Sequence, residues 1–260
     1  MNYLNITRFP QLDYACTEAM NTLCTNLSYC GTDIRTILFT SRYEQEGKSS
    51  ITMNVMRTLA SYGKKVLLVD ADLRCSTLAR RYRFNFAQQE AFGLAQYLAG
   101  MCELENALYQ TNLNGAYILP AGRAVLNSMQ LLASARCSEM MCALKENFDI
   151  ILVDSPPAGV IVDAMEIARH CDGAVLVVGY NKGRSQDIGE VAANIAKSGC
   201  QVLGAVMNGV NLKSFRNRKY YYRSDRYSAY YHRYGDDDER SNKKAGIEKK
   251  VKAGRGLRRK

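Results

Sequence analysis

Between residues 41 and 49 the chain reads Ser41-Arg42-Tyr43-Glu44-Gln45-Glu46-Gly47-Lys48-Ser49. The apolar run at 36–40 before this segment predicts a strand, and the spacing of 49–62 after it predicts a helix. A Gly-Lys-Ser turn between a strand and a helix is typical of a phosphate-binding loop, in which backbone amides and the helix N-terminus surround the phosphates. We therefore expect Lys48 to neutralise the β- and γ-phosphates and Ser49 to bind Mg²⁺.

The segment departs from the standard phosphate-loop pattern at one position. That pattern has glycine five residues before Gly47, and this chain has Arg42 there. Because a Gly-Lys-Ser-Ser sequence also occurs by chance, the assignment needs support from other parts of the chain.

Two strand-end aspartates give that support. The apolar run 66–70 ends at Asp70, and the run 150–154 ends at Asp154. In parallel α/β sheets, ligands bind beyond the carboxyl ends of the strands, so these carboxylates should meet the phosphate loop in one crevice. A single strand-end aspartate is more often a helix cap, but three such features together predict a site for a magnesium nucleotide.

The alternation of apolar runs with helical segments predicts the fold. Continuous apolar strands separated by helices indicate an α/β protein whose parallel sheet is covered by helices on both faces. Further strands are predicted at 117–120, 174–179 and 202–207, and further helices at 13–30, 127–147, 163–170 and 184–198. We divide the chain into an N-terminal helical segment (1–35), a P-loop ATPase domain (36–211) and a C-terminal tail (212–260).

The positive charge of the chain is concentrated in its tail. The formal net charge is +10, and the residues from Asn211 onward contain 17 Lys and Arg against 6 Asp and Glu. The body is therefore close to neutral, which argues against a nucleic-acid-binding fold. The tail has almost no aliphatic residues, so we expect it to stay disordered.

Cysteine usage and hydropathy predict a cytoplasmic protein. The nine cysteines are scattered, odd in number and without a zinc-binding spacing, which favours reduced thiols over disulfides. No N-terminal signal pattern is visible, and no apolar run reaches the 18 residues or so of a membrane span.

Several motifs resemble those of one known family. Val69-Asp70-Ala71-Asp72-Leu73-Arg74 is similar to the second Walker-A-type motif of the bacterial tyrosine kinases of capsule and exopolysaccharide synthesis, and 151–157 (Ile-Leu-Val-Asp-Ser-Pro-Pro) resembles their Walker B motif. The segments 93–100 and 119–122 are similar to their connecting segments. The likeness extends over about 14–211. The family's tyrosine-rich C-terminus has its counterpart in Tyr220, Tyr221, Tyr222, Tyr227, Tyr230, Tyr231 and Tyr234.

The resemblance implies an ATP-dependent protein-tyrosine kinase that autophosphorylates this tyrosine cluster and regulates capsular or exopolysaccharide synthesis and export. Asp70 would activate the tyrosine hydroxyl or hold the metal. The implied catalytic residues are Lys48, Asp70, Asp72 and Asp154. The implied nucleotide-binding residues are Glu46, Gly47, Lys48, Ser49, Ser50 and Asn208. The implied Mg²⁺ ligands are Ser49, Asp72 and Asp154.

The resemblance also implies partners and a location. The partners are a transmembrane modulator protein, neighbouring copies that exchange phosphate in trans, and a cognate tyrosine phosphatase. The protein would then lie in the cytoplasm, held at the inner face of the membrane through its partner.

Two departures from the family pattern affect these expectations. The family usually has Pro-Gly before Glu-Gly-Lys, whereas this chain has Glu44-Gln45. The family's first helix carries Glu-x-x-Arg-x-x-Arg, used to assemble a ring, and the matching residues here are Glu18, Asn21 and Cys24. Since both arginines are missing, we expect the ring contact to be weak or remade.

Two alternatives remain open at this point. The first is a Min- or Par-type ATPase switch, but those relatives carry an additional lysine five residues before the catalytic one, where this chain has Tyr43. The second is a degenerate nucleotide-binding scaffold whose basic tail holds anionic lipid. The intact set of Lys48, Ser49 and the strand-end aspartates argues against it.

Overall fold

The computed structural model describes residues 2–87, 91–182 and 184–210. The chain divides into two units, 1–209 and 210–260, and the fold described below is that of the first. The seven tail tyrosines lie outside the described residues.

A nine-stranded mixed sheet forms the centre of the described part of the chain. Its strands are β1 (Asn2–Ile6), β2 (Thr36–Ser41), β3 (Val66–Asp70), β4 (Phe84–Phe86), β5 (Tyr109–Thr111), β6 (Ala116–Leu119), β7 (Ile150–Asp154), β8 (Gly173–Gly179) and β9 (Gln201–Asn208). They are ordered β4-β1-β5-β6-β3-β7-β2-β8-β9.

Helices cover this sheet on both faces. They are α1 (Tyr14–Ser28), α2 (Lys48–Ser61), α3 (Leu78–Tyr82), α4 (Leu94–Leu98), α5 (Leu104–Ala107), α6 (Ser128–Leu132), α7 (Ala135–Asn147), α8 (Asp163–Ala168) and α9 (Ser185–Lys197). The predicted α/β class and the two-sided cover are confirmed.

Alternate residues of the central strands enter two separate hydrophobic cores. On β3, Leu67 and Val69 belong to the core of one face, whereas Val66 and Leu68 belong to the core of the other. Every residue of β3 is buried, which is the physical reason for its continuous apolar sequence.

The sheet is parallel at its centre and antiparallel in two places. Strands β6, β3, β7, β2, β8 and β9 run parallel, whereas β1 pairs with β4 and β5 with β6 in antiparallel fashion. The connection 112–115 has only four residues, too few for the crossover that parallel neighbours require. A purely parallel sheet was therefore the wrong expectation at this edge.

The N-terminal segment contains a strand as well as a helix. The sequence predicted a helical segment over 1–35, and the structure has α1 there together with β1, which pairs with β4 and β5. The segment thus completes the sheet rather than preceding it. Asp13 caps α1, since its Oδ1 accepts a hydrogen bond of 2.8 Å from the Cys16 amide.

The structure also shows the state of the cysteines and the length and apolar character of the helices. All nine cysteines are free thiols. Among the described residues, none of the helices has the length and apolar character needed to cross a membrane.

Candidate active site

The loop 42–47 connects the carboxyl end of β2 to the first residue of α2. Gly47 has a φ of 94°, in the left-handed region. A Cβ at this position would lie 2.0 Å from Asn208 Nδ2, so the close approach of β9 also requires glycine. The tight turn directs the start of α2 toward the edge of the sheet at which the central parallel strands end.

Glu46 fastens this loop to the sheet. Its buried carboxylate accepts hydrogen bonds from the Tyr43 amide at 2.8 Å and from the Gly179 amide at 3.0 Å. Its carbonyl oxygen accepts one from Asn208 Nδ2 at 2.8 Å. The side chains of Glu46 and Asn208, both predicted to contact nucleotide, therefore hold the loop against β8 and β9. The predicted contact of Asn208 with adenine stays a prediction.

Arg42, which replaces the usual glycine, turns its side chain away from the loop. The guanidinium lies 3.6 Å from Asp187 and 3.4 Å from Glu190, both on α9, and packs over the Tyr43 ring. The Arg42 side chain is thus accommodated against α9 and the Tyr43 ring, and the binding of phosphate by the loop stays a prediction.

Asp70 and Asp154 lie side by side at the ends of neighbouring strands. They are partners in the β3–β7 register, and each is 2% exposed. Burial raises the pKa of Asp154 to about 6, although Lys48 and Ser49 oppose the shift. Burial and the charge of Asp154 raise the pKa of Asp70 well above its usual value, while the Ser76 hydroxyl donates a hydrogen bond to it. The structure thus brings together the predicted Lys48, Ser49, Asp70 and Asp154.

Asp72 closes the turn after β3. Its backbone amide donates to Asp70 Oδ1 at 3.3 Å, and its own Oδ1 accepts from the Cys75 amide at 3.1 Å. The side chain is half-buried. Asp72 therefore lies next to the Asp70–Asp154 pair in the turn after β3, and its role in metal binding stays a prediction.

The donor set suits Mg²⁺. Asp154 Oδ1 is buried and has no hydrogen-bond partner among the described residues. The same part of the chain has no cluster of three or more His, Cys, Asp or Glu side chains arranged to hold a metal. Mg²⁺ usually takes one or two carboxylates and completes its shell with water and substrate phosphates, so a cluster of three is not required. The Ser49 hydroxyl, Asp154 and Asp72 are the residues that would hold it.

An ion pair behind the site was missed by the sequence analysis. Arg74 makes two hydrogen bonds to Asp163 of α8, at 2.8 and 3.0 Å, and the buried Ser128 hydroxyl donates to the same carboxylate at 2.5 Å. Arg74 belongs to the recognised Asp-Leu-Arg motif, but its partner lies 89 residues away. No local pattern indicates that pairing.

In α1, the two residues that stand in place of the family's arginines make contacts within the molecule. Asn21 Nδ2 donates to Glu18 at 3.0 Å, and the Tyr62 hydroxyl donates to Asn21 Oδ1 at 2.9 Å. Cys24 is 1% exposed and lies in the core. The two positions expected to carry arginines thus bind α1 to α2 and the core, and the weakened ring contact stays a prediction.

Comparison with known proteins identifies the family. A family model described as an AAA domain matches residues 35–182. Tyrosine-protein kinase CpsD of Streptococcus agalactiae is 34% identical over 194 residues, which cover 75% of this chain and 83% of that protein. The chain belongs to the bacterial tyrosine kinases. The predicted family and enzyme class are confirmed.

Solved structures agree with this assignment at the level of the fold. The kinase domain of the Escherichia coli tyrosine kinase ETK superposes with a TM-score of 0.71 at 24% identity, covering 76% of this chain and 77% of that one. The septum site-determining protein MinD of Pyrococcus horikoshii, complexed with Mg-ADP, has a TM-score of 0.58 at 29% identity and covers 66% and 69%. This bacterial tyrosine kinase therefore shares its fold with a septum site-determining protein that was solved with Mg-ADP.

Replacing Asp154 with asparagine should stabilise the nucleotide-free kinase at pH 7.5. The buried carboxylate is charged there, beside Asp70, and its neutralisation should raise the free energy of unfolding by on the order of 1–3 kcal/mol. Since the pKa of Asp154 is about 6 when folded and near its ordinary value of 3.8 when unfolded, the wild-type protein loses stability as the pH rises through this interval. Urea unfolding at several pH values measures the difference.

Unfolding at low pH and in the presence of ligand provides the controls for Asp154→Asn. At about pH 3 and below, Asp154 is mostly protonated in both the folded and the unfolded state, so the advantage of Asp154→Asn should disappear. With Mg²⁺ and ADP present, the wild-type protein should regain stability and the variant should gain less. A variant less stable than the wild type at pH 7.5 would contradict the argument.

Proposed function

We propose that this bacterial tyrosine kinase uses Mg-ATP to phosphorylate tyrosines in its own C-terminal tail and so regulates capsular or exopolysaccharide synthesis and export. The observation that carries the proposal is the buried Asp70–Asp154 pair beside the phosphate loop. Two buried carboxylates are costly to keep ionised, and a bound cation and a substrate proton would offset that cost.

Each residue of the site has a distinct role in the proposed phosphoryl transfer. Lys48 and the N-terminus of α2 bind the phosphates and offset their charge. Ser49, Asp154 and Asp72 hold Mg²⁺, which stabilises charge on the transferring phosphoryl group. Asp70 accepts the proton of the attacking tyrosine hydroxyl, and its raised pKa makes it a stronger base than an ordinary aspartate.

The proposed substrate is the tyrosine cluster of a neighbouring copy. Seven of the fifteen residues from Tyr220 to Tyr234 are tyrosines. Many different residues of one strip can reach a single site only if the strip is extended and adaptable. The Lys and Arg of the tail, which has a net charge of +11 from Asn211 onward, suit both an acidic active site and the phosphorylated product.

The proposed partners follow from the family membership. A transmembrane modulator would hold the kinase at the inner face of the membrane and raise its activity through a cytoplasmic segment. A cognate tyrosine phosphatase would reverse the modification. Kinase assays with and without the modulator's cytoplasmic segment test the first point, and full activity of the isolated chain, insensitive to that segment, would count against it.

Incubation of the purified chain with Mg-ATP should place phosphate on several of the seven tail tyrosines and not on body tyrosines such as Tyr62 or Tyr117. Tyr62 is 53% exposed but follows α2 directly and donates a hydrogen bond to Asn21, and Tyr117 lies within β6 against Phe148, so the folded backbone around both tyrosines restricts their reach toward another molecule's active site. Each phosphate adds about −1.5 to −2 charges, so roughly six would cancel the tail's positive charge. Phosphopeptide mapping by mass spectrometry locates the sites.

Sedimentation of the same samples tests whether the modification also controls assembly. Loss of the tail's positive charge should weaken its hold on a neighbour's acidic site, so phosphorylated samples should contain smaller species. A matched chain with the seven tyrosines replaced by phenylalanine should stay unmodified and unchanged in size. Phosphate confined to body tyrosines would refute the tail as substrate.

A further inference from the structure

Arg81 reaches the phosphate-binding end of α2 from a different element. It lies on α3, and its Nη1 donates a hydrogen bond of 2.6 Å to Ser50 Oγ. Ser50 stands in the first turn of α2, two residues after Lys48. The contact joins residues 31 positions apart and belongs to no motif recognised in the sequence.

The helix α3 is anchored in the core on both sides of Arg81, which fixes the position of this residue. Leu78 and Tyr82, on either side of Arg81, are 1% and 2% exposed, and the Tyr82 ring packs on Phe9 with centroids 5.4 Å apart. Burial raises the pKa of the Tyr82 hydroxyl, while a hydrogen bond with Ser50 and the charge of Arg81 oppose the shift. A rigid base thus places an exposed guanidinium against the first turn of α2.

Two positive groups repel the charge of Arg81, and the buried Asp154 carboxylate attracts it. The N-terminus of a helix carries partial positive charge and favours anions over cations. Lys48 adds a full positive charge at the same end of α2. Within the described residues, Arg81 forms no ion pair, and its one side-chain hydrogen bond goes to a neutral hydroxyl. Such an arrangement is favourable once an anion binds between the cations.

We propose that Arg81 is a phosphate-binding residue of the nucleotide site, which contacts the polyphosphate of Mg-ATP beside Ser50 while Lys48 contacts it from the loop. The inference rests on the proposed use of ATP. A guanidinium has five N–H donors, so the bond to Ser50 leaves donors for phosphate oxygens.

A second observation agrees with this placement. Lys48 and Arg81 both lie close enough to the buried Asp154 carboxylate for their charges to act on it. Arg81 is therefore near the carboxylate that would hold Mg²⁺ as well as bonded to the first turn of α2. The polyphosphate would lie between two cations rather than against one.

Titration of Mg-ADP and a non-hydrolysable Mg-ATP analogue into the full chain tests the proposal. Arg81→Ala should weaken binding about tenfold or more, the loss expected for one charge-assisted hydrogen bond to phosphate. Arg80→Ala is the matched control, because Arg80 is the adjacent exposed arginine of the same helix and its variant should bind within about twofold of the wild type. In kinase assays the KM for ATP should rise more than kcat falls.

The conservative variant separates charge from structure. Arg81→Lys should recover part of the lost affinity, and thermal unfolding should show that both Arg81 variants are folded. Wild-type affinity in Arg81→Ala, no recovery in Arg81→Lys, or a loss confined to the KM for a tyrosine peptide would each overturn the inference. Absence of nucleotide binding by the wild-type chain would instead refute the proposed function itself.

Discussion

Replacing Lys48 with methionine should abolish phosphotyrosine formation, with a loss of at least about a hundredfold, as expected when a group that stabilises charge in the transition state is removed. Lys48 is the first residue of α2 and heads the groups that oppose the burial-driven rise in the pKa of Asp154. Methionine has a similar length but no charge, so the negative phosphates lose their partner while the packing changes little. Anti-phosphotyrosine blotting of the purified chain after incubation with Mg-ATP measures the result.

The control for this variant is another lysine near the same helix. Lys64 is exposed just beyond the C-terminal end of α2, and Lys64→Met should retain full activity. Thermal unfolding should confirm that both variants are folded. Phosphotyrosine at the wild-type level in Lys48→Met would mean that ATP binds elsewhere in the chain.

The central strands and the long helices could be predicted from the sequence because each depends on a local pattern. The strands β2, β3 and β7 are buried along nearly their whole length, and each contains an uninterrupted stretch of three or four apolar residues. Helix α9 has one buried face, which gives the helical spacing of its apolar residues. Helix α2 is buried over most of its surface, and its end is marked in the sequence by Gly63, which has a φ of 80°.

The short edge strands could not be predicted in the same way. β4 and β5 have three residues each, and no periodicity can be read from so few. Their pairing with β1 and β6 is decided by tertiary contacts. The strand β1 has five residues, but only Leu4 and Ile6 are buried, and its pairing with β4 and β5 is likewise decided by tertiary contacts.

The residues of the candidate site also differ in whether a local sequence pattern indicates them. Lys48, Ser49, Asp70 and Asp154 were predictable because strand ends and the phosphate loop are local features that the parallel sheet brings together. The bond from Arg81 to Ser50 joins side chains that lie far apart in the chain. Single-sequence reasoning has no signal for such pairs.

Glu46 shows that a motif can locate a residue without giving its side-chain contacts, and its predicted contact with nucleotide stays a prediction. Its place in the Glu-Gly-Lys-Ser segment suggested contact with nucleotide, yet its carboxylate accepts hydrogen bonds from the Tyr43 and Gly179 amides. In a motif of this kind the side chains facing the sheet shape the loop, while its backbone amides face the ligand.

The ion pair between Arg74 and Asp163 should contribute strongly to the stability of the fold. Asp163 is 1% exposed and accepts hydrogen bonds from Arg74 and Ser128. Burial alone would raise the pKa of Asp163, but the bonds from Arg74 and Ser128 outweigh it and hold the pKa below its ordinary value. The carboxylate therefore stabilises the fold at neutral pH, and this contribution is lost as the pH falls below about 4.

Asp163→Ala should accordingly lower the free energy of unfolding by about 2 kcal/mol at pH 7.5, because it removes a buried acceptor of three hydrogen bonds and leaves the buried Ser128 hydroxyl without its acceptor, while the exposed Arg74 can bind water instead. Urea unfolding measures the loss. The control is Glu166→Ala on the same helix, whose ion pair with the exposed Arg169 should contribute less than about 0.5 kcal/mol. Equal stability of the two variants would contradict the assigned role.

The same variant should also reduce kinase activity, for a reason that stability alone does not supply. Arg74 follows Asp72 by two residues, and the intervening Leu73 is buried, so the ion pair fixes the turn that carries Asp72 and Asp70. Without Asp163, this turn should hold the carboxylates less precisely. At a temperature where the Asp163→Ala protein is fully folded, kcat should fall by a larger factor than the affinity for Mg-ADP, since the phosphate loop and α2 are untouched and Asp72 is the one proposed Mg²⁺ ligand on this turn. Unchanged kcat in the folded variant would confine the pair to a role in stability.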